Sequence, residues 1–300
     1  MRWHFIAMVL VSASMAAQTK SVTQPASQVV VLGSGMPAAD PDRFGPAVAI
    51  VTGGTAYLVD CGAGVVRRAA AAQRNGIPAL AANGLNVAFI THLHSDHTLG
   101  YPDLILSGWV LGRDRPLNVY GPAGLKDMTD HILQAWKKDI DIRTHALERV
   151  SHAPIVQVHE VKSGVVYKDE NVTVSAFLVQ HGSWDEALGY RFDTPDRSIV
   201  ISGDTAPTES VVNACNGCDV LLHEMYDETL PGNNAPSPEY FAAFHTNPQQ
   251  LAVIAGKARP KLLVLYHQMG RPIVEGHMLE ALRAAGYKGA VVSAHDLDVY

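Results

Sequence analysis

The sequence predicts a single α/β domain that is rich in β-strands. Short runs of β-branched residues recur along the chain, and most of them are bounded by Gly, Pro, Asn or Asp, as strands are. Several segments between these runs space their apolar residues at the period of a helix. The sequence contains no internal repeat and no linker long enough to divide it, so we expect residues 18–300 to form one domain.

The predicted strands and helices alternate along much of the domain. Strands are predicted at residues 28–32, 47–51, 57–60, 87–91, 117–120, 156–161, 172–179, 187–192, 198–202, 220–223, 261–266 and 290–293. Helices are predicted at residues 65–72, 125–136, 208–214, 248–258 and 274–285. The helix at 125–136 depends on one apolar stripe, which consists of Leu125, Met128, Ile132 and Trp136. The helix at 248–258 begins with an N-cap, Asn247, and proline at its first position.

The first 17 residues have the pattern of a secretory signal peptide. Arg2 precedes a short apolar stretch, and the small residues around Ala16 and Ala17 provide a cleavage site. A retained membrane anchor is the alternative, but the uncharged run from Trp3 to Thr19 barely reaches the length of a membrane span. We therefore expect a periplasmic or secreted protein with no membrane attachment after cleavage.

The composition bears on partners and on redox state. The formal net charge is −6, and no run of Lys or Arg is longer than two residues. Such a surface repels phosphate chains, so we expect no nucleic-acid partner. Three cysteines are too few for a disulfide scaffold. In an oxidising compartment Cys215 and Cys218 either form a local bridge or stay reduced, and the sequence leaves both alternatives open.

One short segment carries the strongest chemical signal of the sequence. It follows the apolar run 87–90, so we expect it on a loop that leaves a strand. Its three imidazoles and one carboxylate are His92, His94, Asp96 and His97. If these groups are buried together, a cation is needed to satisfy their lone pairs. The mixture suits zinc, with manganese or iron as alternatives, whereas the non-functional interpretation is a solvated His-rich loop.

The motif His-x-His-x-Asp-His after a strand resembles the signature of the metallo-β-lactamase superfamily. Four further motifs resemble the remaining elements of that family and occur in its order, around Asp60, His181, Asp204 and His267. The resemblance covers the chain from about Val29 to the C-terminus. It implies the αββα fold, which is a four-layer sandwich of two mixed β-sheets flanked by helices.

The resemblance also implies a centre of two zinc ions per chain. The ligands of one ion would be His92, His94 and His181. The ligands of the other would be Asp96, His97 and His267, with Asp204 as the bridge between the two ions. Asp60 and His223 would lie behind these ligands and fix their orientation by hydrogen bonds. Two such ions would lower the pKa of a shared water, so that a bridging hydroxide would attack the substrate. The resemblance also implies that Asp96 takes part in catalysis.

Three features resemble the ribonuclease Z-like branch of the superfamily. They are the loop 31–37, the pair His223-Glu224 and the motif around His245, which precedes His267 by 22 residues. The last motif implies that His245 is the proton donor to the leaving group. Its preceding residue is a glycine in that branch and is Phe244 here.

Within this branch, several loop sequences resemble the exported metal-dependent arylsulfatases. Ribonuclease Z grips tRNA through a long arm between the third His motif and the bridging Asp, and only 22 residues separate His181 from Asp204 here. We therefore expect an exported hydrolase of small sulfate or phosphate esters. The candidates for the wall of an aryl pocket are Trp109, Trp184, Tyr226 and Phe244.

Other functions remain alternatives at this point. The same ligand set would serve a ribonuclease Z-type phosphodiesterase or endonuclease, a lactone hydrolase or a β-lactam hydrolase. A non-catalytic metal-binding protein is a further alternative, although simple metal storage does not need a histidine such as His245 beside the site. The oligomeric state stays open between a monomer and a homodimer.

Overall fold

The computed structural model describes residues 27–145, 150–226, 237–269 and 276–300. These residues form two mixed β-sheets with flanking helices, which confirms the predicted fold class. The first sheet contains, in spatial order, β1 (Gln28–Gly33), β2 (Ala47–Thr52), β3 (Thr55–Val59), β4 (Val87–Phe89), β5 (Leu117–Gly121) and β6 (Val156–Glu160). The second contains β7 (Gly164–Lys168), β8 (Thr173–Val179), β9 (Ala187–Asp193), β10 (Ser198–Ile201), β11 (Val220–Tyr226), β12 (Leu262–Met269) and β13 (Val291–Ser293).

Helices cover the outer faces of both sheets. In the described residues they are α1 (Val65–Arg74), α2 (Ser95–Thr98), α3 (Tyr101–Val110), α4 (Leu125–Ala135), α5 (Lys137–His145), α6 (Glu209–Cys215), α7 (Pro238–Phe244), α8 (Pro248–Ala258) and α9 (His277–Ala284). Residues of α1, α3 and α4 pack on the first sheet, and residues of α6, α8 and α9 pack on the second. The result is the four-layer order of helices, sheet, sheet and helices.

Each sheet combines parallel and antiparallel pairs. Strands β3 to β6 are parallel, while β1, β2 and β3 pair antiparallel. In the second sheet, β10 to β13 are parallel, and β7 to β10 pair antiparallel. Parallel neighbours need crossover connections, and most of these connections contain the flanking helices.

The cores follow from the two-residue period of the strands. In β1, Val29 and Val31 lie in the core between the sheets, whereas Val30 and Leu32 lie in the core beneath the helices of the first sheet. Both faces of this strand are therefore buried, which explains its continuous apolar sequence. The layer between the sheets also contains stacked aromatic rings, such as Phe89 on Tyr120.

Most predicted elements are present, and the exceptions have physical causes. Each predicted strand overlaps an observed one, whereas β7 was not predicted because it is a largely exposed edge strand. The predicted helices overlap α1, α4, α6, α8 and α9, although residues 274–275 of the last lie outside the described residues. The sequence analysis missed α2, α3, α5 and α7. Helix α2 has only four residues, which is too short to show an apolar period. Helix α7 buries none of its residues and therefore has no apolar period.

The predicted signal peptide, residues 1–17, lies outside the described residues, so the signal peptide, the domain boundaries and export stay predictions. Among the residues described here, no helix is both long enough and apolar enough to cross a membrane. Cys215 and Cys218 form a disulfide, which answers the question that the sequence left open. Cys61 is a free and buried thiol.

Candidate metal centre

The predicted ligands come from loops at the ends of strands in both sheets. His92 and its neighbours follow β4, His181 follows β8, and Asp204 follows β10. His267 lies inside β12, where the pairing with β11 shifts by one residue and the φ angle of His267 is +46°. This irregularity turns the His267 side chain out of the regular alternation of the strand.

The first ligand group contains three imidazoles. Nε2 of His92 lies 2.9 Å from Nδ1 of His94, and Nε2 of His181 lies 3.1 Å from the same Nδ1. With an oxygen of Asp204, these ligand atoms all lie within 4.8 Å of one another. Three ring nitrogens and a carboxylate at this spacing are a donor set for a divalent metal.

The second group lies on the other side of Asp204. It contains Asp96, His97 and His267, and Nε2 of His267 is 3.1 Å from Oδ2 of Asp96. Oδ1 of Asp204 is 3.3 Å from Nε2 of His97, and Oδ2 is 3.5 Å from Nε2 of His267. The Asp204 carboxylate therefore contacts both groups, as the predicted bridging role requires.

His92 and Asp204 have the protonation states that suit a cation. For His97 and His267, burial would lower the pKa, but the Asp204 carboxylate raises it. Burial lowers the pKa of His92 well below its usual value, so its imidazole is neutral. Burial alone would raise the pKa of Asp204, but the imidazoles of His267 and His97 hold it well below its ordinary range. Neutral imidazole and ionised carboxylate are the metal-binding forms of these groups.

Two orphaned atoms also point to a cation. Nε2 of His97 and Oδ1 of Asp204 are buried and lie 3.3 Å apart, and neither atom makes a hydrogen bond of good geometry within the described part of the chain. Buried polar atoms without partners are costly, and a metal ion that accepts their lone pairs removes that cost. The residues present therefore fit a divalent metal, for which zinc is the typical choice with this ligand set.

Asp60 supports the ligand loop from behind. Its Oδ1 accepts the backbone N–H of Thr91 at 2.8 Å, and its Oδ2 lies 2.8 Å from Nδ1 of His97. A hydrogen bond at Nδ1 leaves Nε2 of His97 for the ligand group. Similarly, Nδ1 of His181 is 2.8 Å from the carbonyl oxygen of Phe244. These contacts support the predicted role of Asp60, which stays a prediction.

His223 and Glu224 are neighbours in the middle of β11. Nδ1 of His223 is 2.7 Å from the carbonyl oxygen of Glu224, and Nε2 has no partner among the described residues. No hydrogen bond to a ligand is found for His223 in the described part of the chain, so its orienting role stays a prediction. The sequence analysis left Glu224 out of the site, yet its Oε1 lies 3.5 Å from Nδ1 of His245. A carboxylate within an otherwise apolar strand was the signal that could have found it.

His245 lies between α7 and α8 and faces the ligands. It is 4% exposed, and its Nδ1 is 4.0 Å from Oδ2 of Asp204. Asn247 and Gln250 form a capping box that fixes the start of α8 just beyond it. Burial lowers the pKa of His245 to about 4, so its imidazole is neutral near pH 7 in the free protein.

The four candidate pocket aromatics divide into two pairs. Trp109 is 2% exposed and donates to the carbonyl oxygen of His152, so it serves packing rather than an aryl pocket. Tyr226 is 4% exposed and stacks on a neighbouring ring. Trp184 and Phe244 both lie against His94, with ring centroids 5.0 Å and 6.5 Å away. Only this second pair lines the ligand groups.

Comparison with known proteins identifies the family. Residues 55–268 match the family model described as a beta-lactamase superfamily domain. The chain therefore belongs to the metallo-β-lactamase superfamily, and the protein is a metal-dependent hydrolase.

Its relatives narrow the branch. Ribonuclease Z of Mycobacterium marinum is 31% identical over 276 residues, which cover 90% of this chain and 96% of that protein. Ribonuclease Z of Mycobacterium sp. strain KMS is 34% identical over 253 residues, covering 83% and 86%. The crystal structure of the short form of human tRNase Z is 26% identical, has a TM-score of 0.67, and covers 91% of this chain and 98% of that one. The chain is thus ribonuclease Z-like.

These comparisons correct the predicted function. The prediction of an arylsulfatase-like hydrolase is wrong, because relatives that match 90% of this chain are named ribonuclease Z. The short sequence stretches that suggested arylsulfatases include parts of α1, α3, β5, β7 and β9, which the shared fold requires whatever the substrate. The 22 residues between His181 and Asp204 contain β9 and β10 and leave no room for a long arm. Such an arm would grip tRNA outside the reactive centre, so its absence from this segment does not exclude an RNA substrate.

The expectation of no nucleic-acid partner is also wrong. It conflicts with the ribonuclease and tRNase names of the relatives. It was drawn from the net charge of −6, which sums over the whole surface. Phosphate binding depends instead on the local field, and at this site that field includes the charge of bound metal.

Trp184 makes a contact that depends on where His94 carries its proton. The indole N–H donates to Nε2 of His94 over 3.0 Å, while Nδ1 of that ring faces the other imidazoles of its group. A neutral imidazole has one proton, so this hydrogen bond keeps the proton on Nδ1. Metal binding at Nδ1 requires the proton to be on Nε2 instead. The N–H of Nε2 would then face the indole N–H of Trp184, and two donors cannot form a hydrogen bond with each other.

We predict that Trp184→Phe binds zinc about 2- to 10-fold more tightly than the parent protein, because a hydrogen bond of ~0.5–1.5 kcal/mol no longer opposes binding. Competition with a chromophoric chelator measures the affinity. Trp136→Phe is the matched control, since Trp136 is 41% exposed and lies at the end of α4. Weaker zinc binding by Trp184→Phe would show instead that the indole supports His94 as a ligand.

Proposed function

We propose that the protein is a phosphodiesterase of the ribonuclease Z type that hydrolyses RNA with two zinc ions at the described centre. The relatives supply the reaction class, because they are named ribonuclease Z and tRNase Z. The two-metal proposal depends on the position of Asp204. Its side chain belongs to the first ligand group, and its two oxygens contact two different imidazoles of the second group.

The proposed coordination follows the two ligand groups. His92, His94 and His181 would hold one zinc ion, and Asp96, His97 and His267 would hold the other, with Asp204 between them. When bound, the ions supply Lewis acidity that lowers the pKa of water and neutralises charge on the phosphoryl oxygens. Manganese or iron would fit the same donors.

The protein groups around this centre have separate tasks in the proposal. Asp96 lies in the second ligand group, with Oδ2 3.1 Å from Nε2 of His267, so its carboxylate would lie beside the attacking water and accept a hydrogen bond from it. His245 faces the same centre, and its lowered pKa makes it a neutral imidazole near pH 7. Instead of acting as the predicted proton donor, it would therefore donate an N–H hydrogen bond to the leaving oxygen, which takes its proton from water. Glu224 stabilises the segment that carries His245, since its Oε1 accepts the backbone N–H of Thr246 at 3.0 Å.

We predict that the zinc-loaded protein cleaves a tRNA precursor with a 3′ trailer and does so with a higher kcat/KM than it hydrolyses an aryl sulfate. A chelator should abolish cleavage, and added zinc should restore it. Gel analysis of end-labelled RNA measures the reaction, and Asp204→Ala, purified identically, controls for contaminating nucleases. Turnover of the aryl sulfate without cleavage of any RNA would contradict the proposal.

We predict that His245→Ala keeps its metal and its fold but loses a factor of about 10²–10⁴ in kcat on RNA. The loss should be smaller on a nitrophenyl phosphodiester, because nitrophenolate leaves without help from a hydrogen-bond donor. Stopped assays on both substrates, with metal analysis and circular dichroism, test this. His131→Ala is the matched control, as that side chain is exposed on α4. Normal kcat on RNA with metal intact would remove His245 from the mechanism.

A further inference from the structure

Helix α7 carries aromatic rings that do not belong to a core. Tyr240 and Phe244 lie one turn apart, and their rings stack with centroids 4.4 Å apart and planes 16° from parallel. No residue of this helix is buried, and Tyr240 is 37% exposed. Core rings are mostly buried, so core packing does not explain the exposed ring of Tyr240, on which the partly buried ring of Phe244 stacks.

The pair lies directly beside the ligands. The Phe244 ring is edge-on to His181, with centroids 5.0 Å apart, and is nearly parallel to the ring of His94 at 6.5 Å. The Tyr240 ring is 6.0 Å from that of His245. The two rings therefore extend the wall of the metal centre toward solvent.

Gly182 shows that the Phe244 ring has a fixed place. A Cβ atom at Gly182 would lie 1.9 Å from the Phe244 ring, and the φ angle of +54° also favours glycine there. The N–H of Gly182 donates to the carbonyl oxygen of Ala243 at 2.9 Å. The turn after His181 and the end of α7 are thus fitted to each other around this ring.

We propose that Tyr240 and Phe244 form a stacking platform for the nucleobase that flanks the scissile phosphate of the RNA, an inference that rests on the proposed function. Neutral aromatic rings stack on any base, so they give affinity without choosing a sequence. A base and its phosphate belong to one nucleotide, so rings against His94 and His181 are within reach of a base whose phosphate lies at the ligands.

The backbone and the ring of Phe244 contact the centre separately. Its carbonyl oxygen is 2.8 Å from Nδ1 of His181, whereas its ring lies against His94 and His181. A change of the ring therefore leaves the backbone group that contacts His181 in place. We expect the platform to contribute to substrate affinity, with little effect on the bond-breaking step.

A substrate series combined with variants tests the platform. Single-stranded oligoribonucleotides of one sequence, each with one abasic position, are cleaved by the zinc-loaded parent protein and by Phe244→Leu. Removing one base beside the cleaved bond should lower kcat/KM of the parent about tenfold, mainly through KM. Phe244→Leu should show a similar loss on the intact RNA and no further loss on the abasic one.

Controls separate binding from structure. Phe244→Trp should restore the effect of the base, and Tyr240→Leu should reproduce the loss if Phe244→Leu proves unstable. Trp136→Leu removes an exposed ring on another helix and should change nothing. The platform proposal would be overturned if the loss from the abasic position and the loss from Phe244→Leu add independently, or if KM is unchanged in both leucine variants. The proposal that the protein cleaves RNA would not be affected by either result. Failure of the parent protein to cleave any RNA would overturn the proposed function and the platform together.

Discussion

The carboxylate of Asp204 is the group on which the rest of the site depends, because it lies buried between the imidazoles of both ligand groups. Its two oxygens are 3.3 Å from His97 and 3.5 Å from His267, and it also belongs to the group of His92. Burying so many imidazole nitrogens and carboxylate oxygens together costs free energy unless a cation binds their lone pairs. The fold collects them by ending strands of both sheets at one place, and Asp60 then holds His97 in position through Nδ1.

The ligands could be predicted because their signal is local. Four of them occur within six residues after a buried strand, and burial of such a cluster has few explanations other than metal. The contacts that surround them could not be predicted, since they join distant parts of the chain. Trp184 meets His94 across 90 residues, and the carbonyl oxygen of Phe244 meets His181 across 63. Helix α7 was missed for a related reason, as it buries none of its residues and so lacks an apolar period.

The substrate class was mispredicted because the ligand set does not encode it. The same ligands activate water for attack on many esters, so the choice among them was drawn from loop sequences and net charge. Short sequence stretches that a fold shares reflect its helices, strands and turns and not its substrate. Net charge averages over the whole surface, of which the substrate contacts a small part. Groups beside the ligands, such as Tyr240 and Phe244, come together only in the structure, where their rings stack next to the metal centre.

Metal content is the most direct measurement of the central claim, which is that one buried cluster holds two divalent ions through Asp204. Elemental analysis of the purified, active protein, after removal of weakly bound metal, gives the number of ions per chain. We expect about two zinc ions in the parent protein and a loss of metal in Asp204→Ala, since the Asp204 carboxylate belongs to the first group and lies beside two imidazoles of the second. One ion or none in fully active protein would contradict it.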